Sequence, residues 1–166
     1  MGGTHHYLIA LGSNRRHHLF GGPRAVLDAA LVALVDAGVA IQKVSPVLLT
    51  APIGPSLRRY ANAAALIATD RAPDELLGLL KRIERRFGRR KGGQRWTARV
   101  LDLDIVLWDG GAWSSPGLTV PHILFRERDF VLRPSVAVAP GWRDPVSGLS
   151  LRQLTARLTA PRPLSR

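Results

Sequence analysis

Two aspartates interrupt the most regular apolar segment of the chain, and this segment constrains the fold more than any other. In residues 101–107, hydrophobic side chains alternate with Asp102 and Asp104, as in a β-strand whose successive side chains point to opposite faces. Val106 shares the face of the aspartates. The other face, expected to be the core face, carries Leu101, Leu103, Ile105 and Leu107. Two like charges on one face destabilise a sheet unless a cation lies between them.

A dense run of cations precedes this predicted strand. It consists of Arg85, Arg86, Arg89, Arg90, Lys91, Arg95 and Arg99. Carboxylates beside arginines are typical of a site where a divalent metal and the arginines both contact phosphate groups. The alternative interpretation is a solvated strand face within a salt-bridge network, and the acidic pair alone does not separate the two.

The composition narrows the class of protein. The chain has 166 residues, of which 46% are hydrophobic, and no cysteine, so we expect one domain over residues 1–166 without disulfides or thiol chemistry. No apolar segment is long enough to span a bilayer, and the stretch at residues 7–11 is too short for a secretory signal. We therefore expect a cytoplasmic protein without a membrane partner. The net charge of +12 favours anionic partners, although a GC-rich genome would produce a similar excess of arginine.

Hydrophobic periodicity predicts four strands and two long helices. The strands are expected at residues 6–11, 39–49, 60–69 and 101–108, with Pro46 interrupting the second. The helices are expected to begin near Pro23 and Ala72 and to end at Gly38 and Gly88. We expect a disordered start that includes His5 and His6. We also expect a turn-rich insertion at residues 109–117 and a tail of helical pieces and loops from Arg126.

The order of these elements, β-α-β-β-α-β, is that of the ferredoxin-like fold. It predicts an α+β sandwich with two helices on one face of an antiparallel sheet and extra C-terminal helical and loop elements. Because RNA-binding domains share this order, a basic RNA-binding module is an alternative function. Acids on the fourth strand, and the lack of clustered aromatic residues on the two central strands, argue against it, so we expect no nucleic-acid partner.

Four short motifs carry a more specific signal. They are Leu-Gly-Ser-Asn at residues 11–14, Thr-Ala-Pro-Ile-Gly-Pro at 50–55 with Tyr-Ala-Asn at 60–62, Arg-Trp-Thr-Ala-Arg-Val-Leu-Asp-Leu-Asp at 95–104, and Leu-Thr-Val-Pro-His at 118–122 with Arg-Asp-Phe at 128–130. In this order and spacing they resemble the 6-hydroxymethyl-7,8-dihydropterin pyrophosphokinase family over roughly residues 6–155. The resemblance implies a monomeric enzyme of folate biosynthesis that transfers diphosphate from ATP to the hydroxymethyl group of a reduced pterin and releases AMP. A paralogue that binds pterin with weakened catalysis is a further alternative.

The resemblance also implies roles for individual residues. Asp102 and Asp104 would bind two Mg²⁺ ions, and Arg89 and Arg99 would contact the phosphates. The remaining residues on the ATP side would be Lys81, Arg82, Glu84, Lys91, Trp96, Ile105, Thr119, His122 and Arg128. The residues on the pterin side would be Thr50, Ala51, Ile53, Tyr60, Asn62, Trp96 and Phe130.

Four residues on the pterin side suit a flat heterocycle. The amide of Asn62 carries both a donor and an acceptor for the edge of the ring. Tyr60 and Phe130 would stack on its faces, and Trp96 would close over the site.

Four features depart from the family pattern. Ile123 stands where an aromatic or polar residue is common, and Ala51 stands where proline is common. The loop from Gly54 to Arg59 is short and carries Arg58-Arg59, which bears on lid closure, and Gly92-Gly93 removes a possible basic contact. None of these is a predicted metal ligand, so they bear on rate and ATP affinity more than on reaction type.

Overall fold

The computed structural model describes residues 2–50, 59–88 and 100–163. Within these residues, β1 (His5–Ser13) is a central strand of a five-stranded antiparallel sheet. It pairs with β4 (Tyr60–Thr69) on one side and with β5 (Asp102–Trp108) on the other. The outer edge of β4 pairs with β2 (Ala40–Val44) and β3 (Leu48–Thr50). The order across the sheet is therefore β2-β4-β1-β5, with β3 beside β4.

Four α-helices accompany the sheet in the described residues. They are α1 (Pro23–Asp36), α2 (Pro73–Arg86), α3 (Asp129–Val138) and α4 (Leu151–Thr159). Proline occupies the first turn of α1 and of α2, where its missing N–H costs nothing. The side chain of Glu75 accepts a hydrogen bond from the backbone N–H of Ala72 at 2.8 Å, which satisfies a donor at the start of α2. None of the helices in this part of the chain is both long and apolar enough to cross a bilayer.

Buried hydrophobic residues form clusters on both faces of the sheet. The first cluster lies under α1 and α2 and includes Ile9, Leu11, Leu34 and Leu80. The second lies on the opposite face, where α3 and α4 pack, and includes Leu8, Val106, Leu107, Phe125 and Leu132. Because β1 and β4 are covered on both faces, apolar side chains in them need no strict alternation with polar ones.

The predicted third strand at residues 60–69 coincides with β4. The first strand is longer than expected at both ends. Gly12 and Ser13 belong to β1 rather than to a turn, because Gly12 is extended and pairs with both neighbouring strands. The expectation that His5 and His6 form a disordered start is wrong, since both begin β1 and Nδ1 of His6 lies 3.0 Å from Oδ2 of Asp109.

The predicted strand at residues 39–49 is two strands, β2 and β3, separated around Pro46. Proline has no N–H to give to a ladder. Ser45 makes the connection instead: its N–H donates to the carbonyl of Ala64 at 2.9 Å, and its Oγ accepts from the N–H of Ala64 at 2.9 Å. The insertion predicted at residues 109–117 also contains regular structure, because β6 (Trp113–Ser115) forms a hairpin with β7 (Leu118–Val120).

The prediction that Leu107 shares the face of Leu103 and Ile105 is wrong. Leu8 pairs with Leu107, but the next residue of β1 pairs with Ile105, so Val106 is an extra residue in a β-bulge. One extra residue reverses the alternation, and Leu107 joins Val106 in the second cluster. Before the bulge the alternation holds, with Leu103 and Ile105 in the first cluster.

Candidate active site

A cavity of about 250 Å³ lies against the sheet, beside the start of α3. Strand residues predicted from the sequence contribute Thr50, Tyr60, Asn62, Asp102 and Asp104 to its lining. Arg128 and Phe130, which flank the first residue of α3, line it as well. Seven of the predicted site residues are thus brought together from β3, β4, β5 and α3, although they are scattered along the chain.

The strand register explains this convergence. Gly12 of β1 pairs with Asn62 on one side and with Asp102 on the other. Directly paired residues share a face of the sheet, and strands are spaced about 4.8 Å apart, so the backbones of Asn62 and Asp102 are about 9.5 Å apart across Gly12. One row further along, Ala10 pairs with Asp104. The floor of the cavity therefore has an amide at one side, carboxylates at the other, and small residues between them.

The carboxylate side has the donor chemistry of a magnesium site. Asp102 and Asp104 are half-buried, and their backbones lie about 6.6 Å apart on one face of β5. Mg²⁺ prefers oxygen ligands and is usually held by one or two carboxylates, with waters and substrate phosphates completing its shell. Groups of three or more His, Cys, Asp or Glu side chains suited to a metal are absent from the described part of the chain. A metal held by these two carboxylates would take further ligands from waters and substrate phosphates.

The amide side is held in a fixed orientation. Asn62 is buried, with 7% of its surface exposed, and its Nδ2 donates to Oγ1 of Thr50 at 3.3 Å. Tyr60 and Phe130 are half-buried and border the same cavity. The guanidinium of Arg128 lies 5.7 Å from the centre of the Phe130 ring, within the range of a cation–π contact. The arrangement suits a flat, hydrogen-bonding ligand between aromatic side chains.

His122 lies where its charge state depends on burial, Asp104 and Arg128. Its backbone N–H donates to the carbonyl of Val106 at 3.0 Å, and its Nδ1 accepts from the N–H of Leu124 at 3.2 Å. Burial lowers the pKa of His122; the negative charge of Asp104 opposes this change, and the positive charge of Arg128 reinforces it. The neutral ring, with Nδ1 accepting, carries its proton on Nε2. It is therefore a neutral donor for an anionic group.

Glu84 occupies an interior position between α2 and β5. It is only 1% exposed, and its Oε1 accepts a hydrogen bond at 2.9 Å from the backbone N–H of Leu103, the residue between the two aspartates. Nζ of Lys81 lies 3.4 Å from its Oε2. The carboxylate of Glu84 therefore fastens β5 to α2 instead of lying at the surface of the cavity.

Other residues predicted for the ATP side lie apart from this cavity. Arg82 is exposed and borders a surface depression with Asp74 and Glu75. The side chain of Ile105 is buried in the first cluster. Thr119 is exposed on β7, beside a shallow depression that also includes Ile123, which is 72% exposed.

Six predicted residues lie outside the part of the chain that the structure describes. They are Ala51, Ile53, Arg89, Lys91, Trp96 and Arg99. The departures at Ala51, at residues 54–58 of the short loop and at Gly92-Gly93 lie outside it too.

Four further residues line the cavity that sequence reasoning did not select, namely Ala10, Leu11, Gly12 and Val131. Gly12 belongs to the Leu-Gly-Ser-Asn motif at residues 11–14. It lies two residues after Ala10, so both residues would share one face of an extended strand, and this was the signal available in the sequence. Sequence reasoning missed this signal because it ended the strand at Leu11.

An ion pair between half-buried Arg126 and buried Asp144 supports the segment that carries Arg128 and Phe130. Asp144 is fully buried and accepts hydrogen bonds from Nε and Nη2 of Arg126 at 2.6 and 2.7 Å. Ser147 Oγ donates to it at 2.6 Å, and the N–H of Val146 donates at 3.0 Å. Burial alone would raise the pKa of Asp144, but the hydrogen bonds from Arg126, Ser147 and Val146 and the charge of Arg126 outweigh it and lower the pKa to about 2.

Comparison with known proteins agrees with this geometry. The family model described as 7,8-dihydro-6-hydroxymethylpterin-pyrophosphokinase (HPPK) matches residues 8–140. A Synechocystis protein named 2-amino-4-hydroxy-6-hydroxymethyldihydropteridine pyrophosphokinase is 33% identical over 150 residues, which cover 90% of this chain and 74% of the relative. A Pseudomonas aeruginosa protein of the same name is 38% identical over 150 residues, covering 89% and 88% of the two chains.

Solved structures show the same fold. The crystal structure of Plasmodium falciparum HPPK-DHPS with pteroate superimposes with a TM-score of 0.70 at 13% identity. The match covers 95% of this chain but only 43% of that one, so the chain spans less than half the length of that protein. The resemblance drawn from the four motifs is confirmed, and the chain belongs to the 7,8-dihydro-6-hydroxymethylpterin-pyrophosphokinase (HPPK) family.

Proposed function

We propose that this chain transfers diphosphate from ATP to the hydroxymethyl group of 6-hydroxymethyl-7,8-dihydropterin, releasing AMP, in folate biosynthesis. The family match and the names of the relatives support this reaction. They do not support an RNA-binding module or a catalytically weakened paralogue. The observation that carries the proposal is that an amide, aromatic rings and paired carboxylates, all predicted from sequence, line one cavity.

The cavity suits the pterin in one orientation. The hydrogen-bonding edge of the ring would meet the Asn62 amide, while Tyr60 and Phe130 contact its faces. A separation of about 9.5 Å between the backbones of Asn62 and Asp102 leaves room for a bicyclic ring between them. The hydroxymethyl group would then lie at the carboxylate side, where the phosphates of ATP must approach.

On the phosphate side, Asp102 and Asp104 would hold two Mg²⁺ ions. Bound magnesium would neutralise charge on the entering and leaving oxygens during the transfer. Nε2 of His122 and the guanidinium of Arg128 would donate to phosphate oxygens. Arg89 and Arg99 are proposed as further phosphate contacts.

The reaction balances without a covalent enzyme intermediate. The hydroxymethyl oxygen forms a bond to the β-phosphorus as the bond from that phosphorus to the α,β-bridging oxygen breaks. AMP leaves with the bridging oxygen, and the hydroxyl proton is released. The protein has to orient the two substrates, stabilise the phosphate charge and exclude water, which are large contributions to phosphoryl transfer.

We propose that the sheet order β2-β4-β1-β5 represents the ferredoxin-like topology, within one domain over residues 1–166. We also propose a cytoplasmic monomer that acts on these small molecules, without a nucleic-acid or membrane partner.

The direct test is a turnover assay with Mg-ATP and the reduced pterin, in which AMP rather than ADP should form. Asp102→Asn and Asp104→Asn should each lower the rate by at least about two orders of magnitude, because each removes a charged ligand. Asp28→Asn, on the exposed face of α1, is the matched control and should leave the rate unchanged.

A binding measurement separates metal ligation from other effects. Titration calorimetry should show weaker Mg-ATP binding in the Asp102 and Asp104 variants, whereas pterin binding without nucleotide stays close to wild type. A near-normal rate in either variant would refute its assignment as a metal ligand, and formation of ADP would refute the reaction.

A further inference from the structure

The backbone conformation at position 12 does not require a glycine. Gly12 lies inside the central strand β1 and pairs with Asn62 on β4 and Asp102 on β5. Its φ is not among the positive values found at other glycines of the chain, so an alanine could adopt the same conformation. Glycine inside a strand is destabilising relative to alanine, and such a glycine often marks a position where a ligand approaches the backbone closely.

The space beside Gly12 is shared with the Asn62 amide. A methyl group on Gly12 would place its carbon 3.2 Å from Oδ1 of Asn62, closer than the 3.4–4 Å of ordinary van der Waals contact. The other end of the same amide is held, because Nδ2 of Asn62 donates to Oγ1 of Thr50 at 3.3 Å. The amide would therefore have to shift or weaken this hydrogen bond to accommodate the methyl group.

Ala10 shows that the requirement is local to one row of the sheet. It lies on the same face of β1, lines the same cavity and pairs with Asp104. A methyl group is accommodated in that row, beside the second carboxylate. In the next row, which joins Asn62 to Asp102, the β1 residue is Gly12 and carries no methyl group.

We propose that Gly12 is a specificity-determining residue of the pterin site. By carrying no side chain, it keeps the Asn62 amide in register with the hydrogen-bonding edge of the ring and lets the ring lie close to β1. This inference rests on the proposed function, because it assigns the flat ligand of this cavity to the pterin. It predicts that one added methyl group lowers pterin affinity without lowering stability.

The test is Gly12→Ala, with Gly141→Ala as the matched control. A methyl group on the exposed Gly141 would meet no atom within 4 Å. In Gly12→Ala, calorimetry should show pterin affinity reduced about tenfold or more, since small misplacements of a positioning group are costly. The dissociation constant of Mg-ATP should stay within about twofold of wild type, and the thermal midpoint should not fall. Gly141→Ala should change neither affinity.

A double-mutant cycle with Asn62→Ala keeps the inference falsifiable. Without the amide there is no close contact at Oδ1, so adding Gly12→Ala to Asn62→Ala should cost much less than its effect in wild type. Unchanged pterin affinity in Gly12→Ala, equal losses in the two backgrounds, or a loss of Mg-ATP binding and thermal stability would each overturn it. If wild-type protein binds pterin but forms no AMP, the proposed reaction fails, while the measured affinities still decide the role of Gly12.

Discussion

The buried carboxylate of Asp144 should make the stability of this protein fall in acid by a calculable amount. Its pKa is about 2 in the folded chain, against about 3.9 for an unperturbed aspartate. This difference corresponds to about 2.5 kcal/mol of folding free energy. Because protonation is easier in the unfolded chain, the contribution is fully present above about pH 5 and is lost as the pH falls towards 2.

Asp144→Asn should remove this pH-dependent contribution. At neutral pH the variant should be less stable by about 2–3 kcal/mol, because Arg126 loses its charged partner and the hydrogen bonds to it weaken. Between about pH 5 and 2.5, wild type should lose stability more steeply than the variant. Urea unfolding followed by tryptophan fluorescence at each pH measures both quantities.

Asp28→Asn serves as the control, since Asp28 is exposed on α1 and its substitution should leave the difference between neutral and acid pH unchanged. If the free energy of unfolding changed with pH in the same way for wild type and Asp144→Asn, the reasoning would be refuted. Such a result would show that Asp144 titrates alike in the folded and unfolded chain. The result also bears on the active site, since the Arg126–Asp144 pair lies next in sequence to Arg128 and Phe130.

Three other predictions concern the site more directly. Glu84→Ala leaves the N–H of Leu103 without its buried acceptor and should lower the free energy of unfolding by about 1–3 kcal/mol, measured in urea against the exposed Glu127→Ala. Phe130→Ala removes a stacking surface and should weaken pterin binding about tenfold, with little change in Mg-ATP affinity by calorimetry; equal losses for both ligands would contradict a pterin-specific role. In metal-free protein, NMR titration of His122 should give a midpoint below the ordinary value of about 6.5, and Asp104→Asn should lower it further, because that carboxylate favours the charged ring; a rise on this substitution would reverse the assignment.

The sequence predicts the elements whose signal is local. The alternation around Asp102 and Asp104 identifies β5 and the face of its acids, and the apolar run at residues 60–69 identifies β4 despite its alanines. Helix boundaries follow from Pro23 and Gly38, because proline and glycine act through their own backbone geometry.

Features that depend on a distant partner could not be predicted in this way. The bulge at Val106 is visible only in the pairing of β5 with β1, and it moves Leu107 to the other face. A glutamate in a helix is typical of the exposed face, yet Glu84 is buried and accepts a hydrogen bond from the backbone N–H of Leu103, which lies on a distant strand. The same holds for Gly12, whose role depends on Asn62, a residue far along the chain.

The bulge at Val106 also links two residues of the proposed phosphate side, Asp104 and His122. Val106, the extra residue, lies two positions after Asp104 in the chain. Its carbonyl accepts a hydrogen bond from the backbone N–H of His122. The backbones of Asp104 and His122 are consequently tied together by one short stretch of main chain and a single hydrogen bond. A triphosphate that contacts both residues, as proposed, would meet backbones that are already tied together, so less ordering of this edge would be left for binding to accomplish.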